Sequence, residues 1–353
     1  MRKNIDLKKI AFISCVNNEQ VYAESCHYIE HLQVSPGYKA EMIAVRDASS
    51  MASGYNIGMK RTDAKYKIYM HQDVFIINKD LISQLLQIFQ SDNRIGMVGM
   101  IGTKTLSESA IAVTDWNVGK VISNGTPPVL EFPQGEGLYE EAQAADGFLL
   151  ATQTDILWRE DIFDGWDFYD ISQCMEFQKA GYKVVIPNQE RPWCCHDNEY
   201  SKMTRYEHYR KLFCQEYACM SGFEFREQSN DLTAYESAKE TARKAIAQLL
   251  SQGAVSELRT LFQAPQNQGY LYLREYECIV VIDWLEEQNR SDIRFWTNTL
   301  SVKQLTEKLR NLKYLLKRIE YDTTECEKEY ALIRENYSQY AVTVICDYYH
   351  IKL

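Results

Sequence analysis

The sequence predicts an α/β domain built around a mainly parallel sheet, followed by an all-helical C-terminal domain. Three patterns carry this expectation. Short apolar runs alternate with amphipathic stretches from residue 9 to 101, the order that wraps helices around a parallel sheet. Of 16 glycines and 7 prolines, only Gly222, Gly253, Pro265 and Gly269 lie beyond residue 200, where turn-rich sequence gives way to unbroken helical periods. The length of 353 residues is too great for one average domain and small for three. A boundary after residue 204 gives a first domain over 1–204 and a helical one over 205–353.

Taken in order, residues 9–15 (KIAFISC) read as a buried strand and 19–32 as an amphipathic helix. A second strand over 41–45 leads to a helix over 50–61, and a third strand over 67–70 follows. The next helix, over 79–89, puts Leu81, Ile82, Leu85, Leu86 and Phe89 on one face. A fourth strand covers 95–101, after which turn signals appear at Asn124-Gly125 and Pro127-Pro128. A helix over 169–180, stopped by Gly181, runs into a strand over 183–186. Beyond residue 204, helices are expected over 235–250 and 270–287. Val302, Leu305, Leu309, Leu312, Leu316 and Ile319 form a short heptad seam. Its shortness favours a helix buried within a bundle, with a homo-oligomeric seam as the alternative.

Composition excludes several classes. With 45% hydrophobic and 25% charged residues, the chain has the mix of an ordinary globular protein. Its 49 acids against 39 bases give a net charge of −10, which argues against bulk nucleic-acid binding and against a basic lipid-bound surface. No apolar run reaches the roughly 20 residues of a transmembrane helix. The opening MRKNIDLKKI lacks a cleavable apolar core, and the ten cysteines are scattered with no CxxC. A reduced, cytoplasmic protein is expected.

Five stretches can carry chemistry. In MHQDVF, an apolar strand ends at His71 and Asp73, where a parallel sheet opens its ligand crevice; Asp73 can hold a divalent cation, or else cap the following helix. In AVRDASS, Asp47 can accept a hydrogen bond from a base or ribose, while Ser49 or Ser50 can simply cap a helix. ADGFLL sets the lone acid Asp146 beside Gly147. WDFYDIS puts Asp170 in a first helical turn, where a carboxylate is either a cap or a general base. PWCCHD ends in His196, a metal ligand or a hydrogen-bonded polar residue; spacing alone favours the latter. Trp166 and Trp193 can each stack on a sugar ring or belong to the core, with the core preferred for Trp193.

In this order the five motifs resemble nucleotide-sugar glycosyltransferases of the GT-A type, specifically the family 2-like proteins, over residues 8–200. The resemblance implies a Rossmann-like nucleotide-diphospho-sugar transferase domain. FISCVNNE is similar to the family's first strand and base-binding loop, placing Asn17 and Glu19 near the nucleobase. VRDASS is similar to its Val-Asp-Asp-Gly-Ser stretch, with Asp47 on the base. GYNIG matches the segment packed under the nucleotide, at Asn56 and Gly58. HQDV stands where the Asp-x-Asp motif stands, so Asp73 becomes the metal and diphosphate residue, and His196 falls on a further metal ligand. DGFLLAT matches the region that recognises donor sugar and acceptor, at Asp146 and Gly147. Asp170 falls on the expected catalytic base.

The implied reaction moves a sugar from a UDP-linked donor to an acceptor hydroxyl, with inversion and with Mn²⁺ or Mg²⁺ as cofactor. Two positions depart from the family: His71 replaces the first Asp of Asp-x-Asp, and Tyr169 replaces the Glu before the catalytic Asp. These departures keep a second reading open, an inactive GT-A-like binding or scaffold subunit. Acidity also clusters, with 15 acids and four bases between residues 131 and 199. An anionic donor is repelled by such a surface unless a cation accompanies it.

Overall fold

The computed structural model describes residues 5–107, 110–123, 129–197, 205–218, 302–321, 326–348 and 350–353, with single positions 244, 248, 252, 257 and 260. Two compact units emerge: Met1–Val121 with Leu130–Glu227, and Ile122–Val129 with Gln228–Leu353. The expected helices over 235–250 and 270–287 and the turns within 124–128 lie outside the described residues.

The first unit opens with β1 (Asp6–Val16), α1 (Glu19–Glu30), β2 (Lys39–Arg46), α2 (Met51–Arg61) and β3 (Ala64–Met70). The centre of β1, from Ile10 to Ser14, is buried on both faces, as an apolar strand inside a two-layered wrap must be. Asn18 caps α1 by accepting from the Gln20 and Val21 N–H groups, and Ser50 caps α2 by accepting from Ser53. Then come β4 (Val74–Ile76), α3 (Leu81–Ser91), β5 (Ile95–Gly99), β6 (Ile101–Thr103), α4 (Ala112–Asp115) and β7 (Val118–Ser123). Short strands β8 (Val129–Glu131), β9 (Tyr139–Ala142), β10 (Ala144–Ala145) and β11 (Leu149–Thr152) precede α5 (Tyr169–Lys179), β12 (Lys183–Pro187), β13 (Cys194–His196) and α6 (Tyr206–Tyr217).

The larger sheet has the order β2-β1-β3-β11-β5-β12-β9. β1 is parallel to both β2 and β3, and β12 is parallel to β5. β11 runs antiparallel between β3 and β5, and β9 antiparallel to β12. The expectation of a mainly parallel sheet therefore needs correction: β11 enters from the end at which β3 finishes, so half of the neighbour pairings are antiparallel. The expected strand over 95–101 is two strands. β5 belongs to the larger sheet, whereas β6 joins a second sheet of order β10-β6-β7-β13-β4. All the residues concerned are buried, so no alternation marks the break at Met100.

Apolar side chains pack on both faces of the larger sheet. On one, Ile29 of α1 and Leu81, Ile82, Leu85 and Phe89 of α3 meet Phe12 and Ile68. On the other, Met51, Tyr55 and Met59 of α2 and Phe177 of α5 meet Ala11, Ile13 and Tyr69. Burying each such large side chain contributes roughly 1.5–3 kcal/mol. Gly58 has no room for a Cβ against Ile13, so α2 lies close on β1. Because β2 and β3 flank β1 on opposite sides, the chain order reverses between β1 and β3. The carboxyl ends of these two strands therefore face a crevice, the place where open α/β sheets bind ligands.

Helix α6 lies beyond residue 204 yet belongs to the first unit. Tyr217 Oη donates to Glu176 Oε1 of α5 at 2.9 Å, Arg159 pairs with Glu216 at 2.8 Å, and Phe168 packs on Tyr206. In the second unit, α7 (Val302–Tyr321), α8 (Glu327–Asn336) and α9 (Gln339–Tyr348) bury Leu309, Leu312, Leu316 and Ile319 against Ile333, Ala341 and Ile345. This stretch of the heptad seam is consumed inside a bundle. No helix among the described residues is long and apolar enough to cross a membrane.

Candidate active site

The carboxyl end of β3 delivers His71, Gln72 and Asp73. The antiparallel register sets Leu149 of β11 opposite Met70, so the preceding residues Asp146, Gly147 and Phe148 lie beside His71. The His71 N–H donates to Phe148 O at 3.0 Å. β13 pairs with β4, and Asp197 N–H donates to Asp73 O at 2.9 Å, which brings His196 next to Asp73. Helix α5 starts after Phe168, a buried non-glycine residue at φ 62°. Such a left-handed entry is strained, and it is held by packing of Phe168 on Tyr206 and Phe213. It aims Tyr169 and Asp170 at the strand ends.

His71, Asp73 and His196 form a tight cluster. His71 Nδ1 lies 3.3 Å from His196 Nε2 and 3.9 Å from Asp73 Oδ1, and His196 Nε2 lies 3.6 Å from Asp73 Oδ1. Asp73 Oδ1 is buried and makes no hydrogen bond, an expensive state for a carboxylate oxygen that a cation would relieve. Burial opposes ionisation of Asp73, but the neighbouring imidazoles outweigh it and hold the carboxyl below its usual range. Burial likewise opposes charge on His196, yet the carboxylates of Asp73, Asp146 and Asp197 prevail and raise its pKa. His71 falls to about 4, through burial first and His196 second, and so is neutral near pH 7. Two imidazoles and a carboxylate with one orphaned oxygen fit a divalent cation. The second ring nitrogen of His71, Nε2, lies 2.5 Å from Tyr169 Oη.

Asp170 stands on the other side of the same strand ends. Its Oδ2 accepts the Gly147 N–H at 2.9 Å. Burial, then the charge of Asp146, pushes its carboxyl up to about 7. A carboxyl poised there is suited to take a proton near neutral pH. Gly147 has no space for a Cβ, because the Tyr169 hydroxyl and the Asp170 side chain occupy it. Asp146 itself turns back to accept the Phe148 N–H at 3.1 Å.

The rim holds the remaining sequence candidates. Asn17 follows β1, and its N–H and that of Asn18 both donate to Gln72 Oε1 at 2.9 Å, while Gln72 Nε2 donates back to Asn17 Oδ1. Glu19 is exposed and bridged to Arg46 by two hydrogen bonds of 2.6 and 2.9 Å, which ties the start of α1 to the end of β2. Asp47 follows β2, exposed and in the left-handed region at φ 56°. Asn56 is buried, with Nδ2 donating to Trp158 O at 2.9 Å and Oδ1 accepting Trp158 N–H at 3.0 Å. It latches a loop to α2 beneath the crevice and has no solvent-facing side to offer a nucleotide. Trp166 is 51% exposed, free to present its indole face. Trp193 is buried in the core beside Val74 and Ile76, which corrects its inclusion among the sugar-stacking candidates.

The family described as "Glycosyltransferase like family" matches residues 11–217, more than half of the chain. The chain belongs to that family. It is a glycosyltransferase enzyme, with helices following the mixed α/β sheets among the described residues. No curated protein sequence matches it. Among solved structures, S. aureus TarS 1-349 is similar at a TM-score of 0.41 and 10% identity, covering 98% of this chain and 92% of that one. The mannosyltransferase PcManGT from Pyrobaculum calidifontis, in complex with GDP-Man and Mn²⁺, is similar at 0.38 and 12%, covering 89% and 91%. A Drosophila β1,4-galactosyltransferase 7 variant with manganese, UDP-Gal and xylobiose is similar at 0.34 and 12%, covering 57% and 74%.

Within this glycosyltransferase, sequence reasoning missed two positioning residues. Gln72 pins the loop after β1, and Tyr169 engages His71. Gln72 was visible only as the variable position between His71 and Asp73. Tyr169 was visible only as a departure from a family acid, its partner 98 residues away.

Proposed function

We propose that this glycosyltransferase moves a sugar from a UDP-linked donor to an acceptor hydroxyl with inversion, in the cytoplasm, using Asp170 as base and a divalent cation at Asp73 and His196. The observation that carries this reading is the pairing, at one set of strand ends, of an orphaned carboxylate oxygen on Asp73 with a second carboxyl, Asp170, raised to about 7. A bound cation would neutralise charge developing on the diphosphate leaving group. Asp170 takes the proton of the acceptor hydroxyl as that oxygen attacks the anomeric carbon opposite the diphosphate, so the configuration inverts. The charge of Asp146 raises the proton affinity of Asp170, and the Gly147 N–H holds its Oδ2. Asn17 and Asp47 supply polar groups to the base at the ends of β1 and β2, and Glu19 fixes that corner through Arg46. Trp166 supplies an apolar face for a sugar ring.

The test is a panel of UDP-sugars with Mn²⁺ and candidate acceptors, read as UDP release by the wild type and by Asp170→Asn. Acceptor-dependent release that is lost in Asp170→Asn, with UDP affinity kept, supports the proposal. Release at the wild-type rate in the variant refutes the role of Asp170, and UDP binding indifferent to added cation refutes that of Asp73 and His196.

A further inference from the structure

We propose that His71 is a third protein ligand of the cation site and that Tyr169 is its positioning residue, so that the site selects a nitrogen-accepting transition ion over Mg²⁺. This rests on the reading that a divalent cation binds at Asp73 and His196.

The geometry comes first. His71 Nδ1, His196 Nε2 and Asp73 Oδ1 lie at the corners of a triangle with edges of 3.3, 3.6 and 3.9 Å. A point equidistant from the three is about 2 Å from each, close to the metal–nitrogen bond length of a first-row ion. No Lys or Arg among the described residues pairs with Asp73.

His71 is also held as a ligand is held. Metal-bound imidazoles generally donate their second N–H to a fixed oxygen, which sets the tautomer and the ring plane. His71 Nε2 meets Tyr169 Oη at 2.5 Å, leaving Nδ1 to turn its lone pair into the cluster. Tyr169 cannot drift: it is buried, packs on Tyr55 and Trp158, and occupies the space that Gly147 leaves open. His71 and the hydroxyl that orients it thus act as one unit.

This ligand set decides what the site binds. Mg²⁺ favours oxygen ligands and gives up water reluctantly, whereas Mn²⁺, Co²⁺ and Zn²⁺ accept imidazole readily. One carboxylate with two imidazoles offers Mg²⁺ little charge and only one side-chain oxygen atom of the cluster.

The experiment titrates metal-stripped full-length protein with Mn²⁺, Co²⁺ or Mg²⁺ alone, by calorimetry, for wild type, His71→Asp, Tyr169→Phe and Asp73→Asn. Pulsed EPR of the Mn²⁺-loaded protein counts bound nitrogens. Wild type is expected to bind Co²⁺ and Mn²⁺ at least about tenfold more tightly than Mg²⁺, with two imidazole couplings. His71→Asp is expected to show one coupling and to narrow the preference. Tyr169→Phe is expected to weaken Co²⁺ binding about tenfold without changing the melting temperature by more than a few degrees. Equal affinity for Mg²⁺ in wild type, or two couplings persisting in His71→Asp, overturns the inference while the cation reading stands. Binding of all three ions that survives Asp73→Asn overturns the cation reading itself.

Discussion

Charges at the two ends of β3 are treated in opposite ways. At its amino end, charges meet opposite charges: Lys9 meets Glu41 and Asp63 at 2.8 Å, and buried Lys67 meets Asp155 at 2.7 Å. At its carboxyl end, Asp73, Asp146 and Asp170 have no Lys or Arg within 4.0 Å among the described residues, and the first has an oxygen without any hydrogen bond. The same sheet, with the same apolar faces, is electrostatically finished at one end and unfinished at the other. A protein tolerates half-buried acids without cations where a cation or a proton is part of the work. The contrast locates function more sharply than the net charge of −10 does.

The largest effect is expected from Asp170→Asn at the unfinished end. Turnover should fall by about 10²–10⁴ while donor affinity holds. Stability should move the other way. The folded carboxyl titrates near 7 and the unfolded one near 3.8, so the contribution present below pH 3.8 is lost as pH rises through 7. The amide escapes that loss, and at pH 8 it should gain as much as about 4 kcal/mol by linkage. A thermal melt at pH 8 that shows no gain breaks the comparison, because Asp170 would then have a hidden partner.

Chelation, or Asp73→Asn, is expected to come next, weakening UDP binding at least about tenfold in calorimetry with Mn²⁺. At the finished end, Lys67→Met should cost about 1–3 kcal/mol of stability in urea unfolding, with kcat unchanged. A tenfold drop in kcat for Lys67→Met would erase the distinction between the ends. The smallest effect belongs to Trp166→Ala, a rise of a few fold in acceptor KM with kcat kept, as loss of one exposed stacking face implies.

The first half of the fold was legible because its strands are apolar and its helices carry one apolar face, with Asn18 and Ser50 capping the first two. α3, with Leu81, Ile82, Leu85, Leu86 and Phe89 buried as expected, is the clearest example. The short strands of the second sheet were not legible: β10 has two residues, and β4, β6 and β13 have three each, too few for any period to register. At the site, Asp73 and Asp170 stood out because a lone acid at the end of an apolar run, or in the first turn of a helix, is conspicuous. Asn56 misled, since the same amide that can face a ligand can equally latch a backbone, and only the Trp158 contact decides. The His71–Tyr169 contact was hidden for a different reason. Each residue read alone is a loss of charge, and the gain appears only when the two meet across 98 positions.

The most direct measurement is kcat against pH from 5.5 to 8.5, at saturating UDP-sugar and Mn²⁺, for wild type and Asp170→Asn. The expected result is a wild-type rate that climbs as pH rises through about 7 and a variant rate that is flat and at least about a hundredfold lower. A flat wild-type profile, or a variant that keeps the climb, would contradict Asp170 as the base.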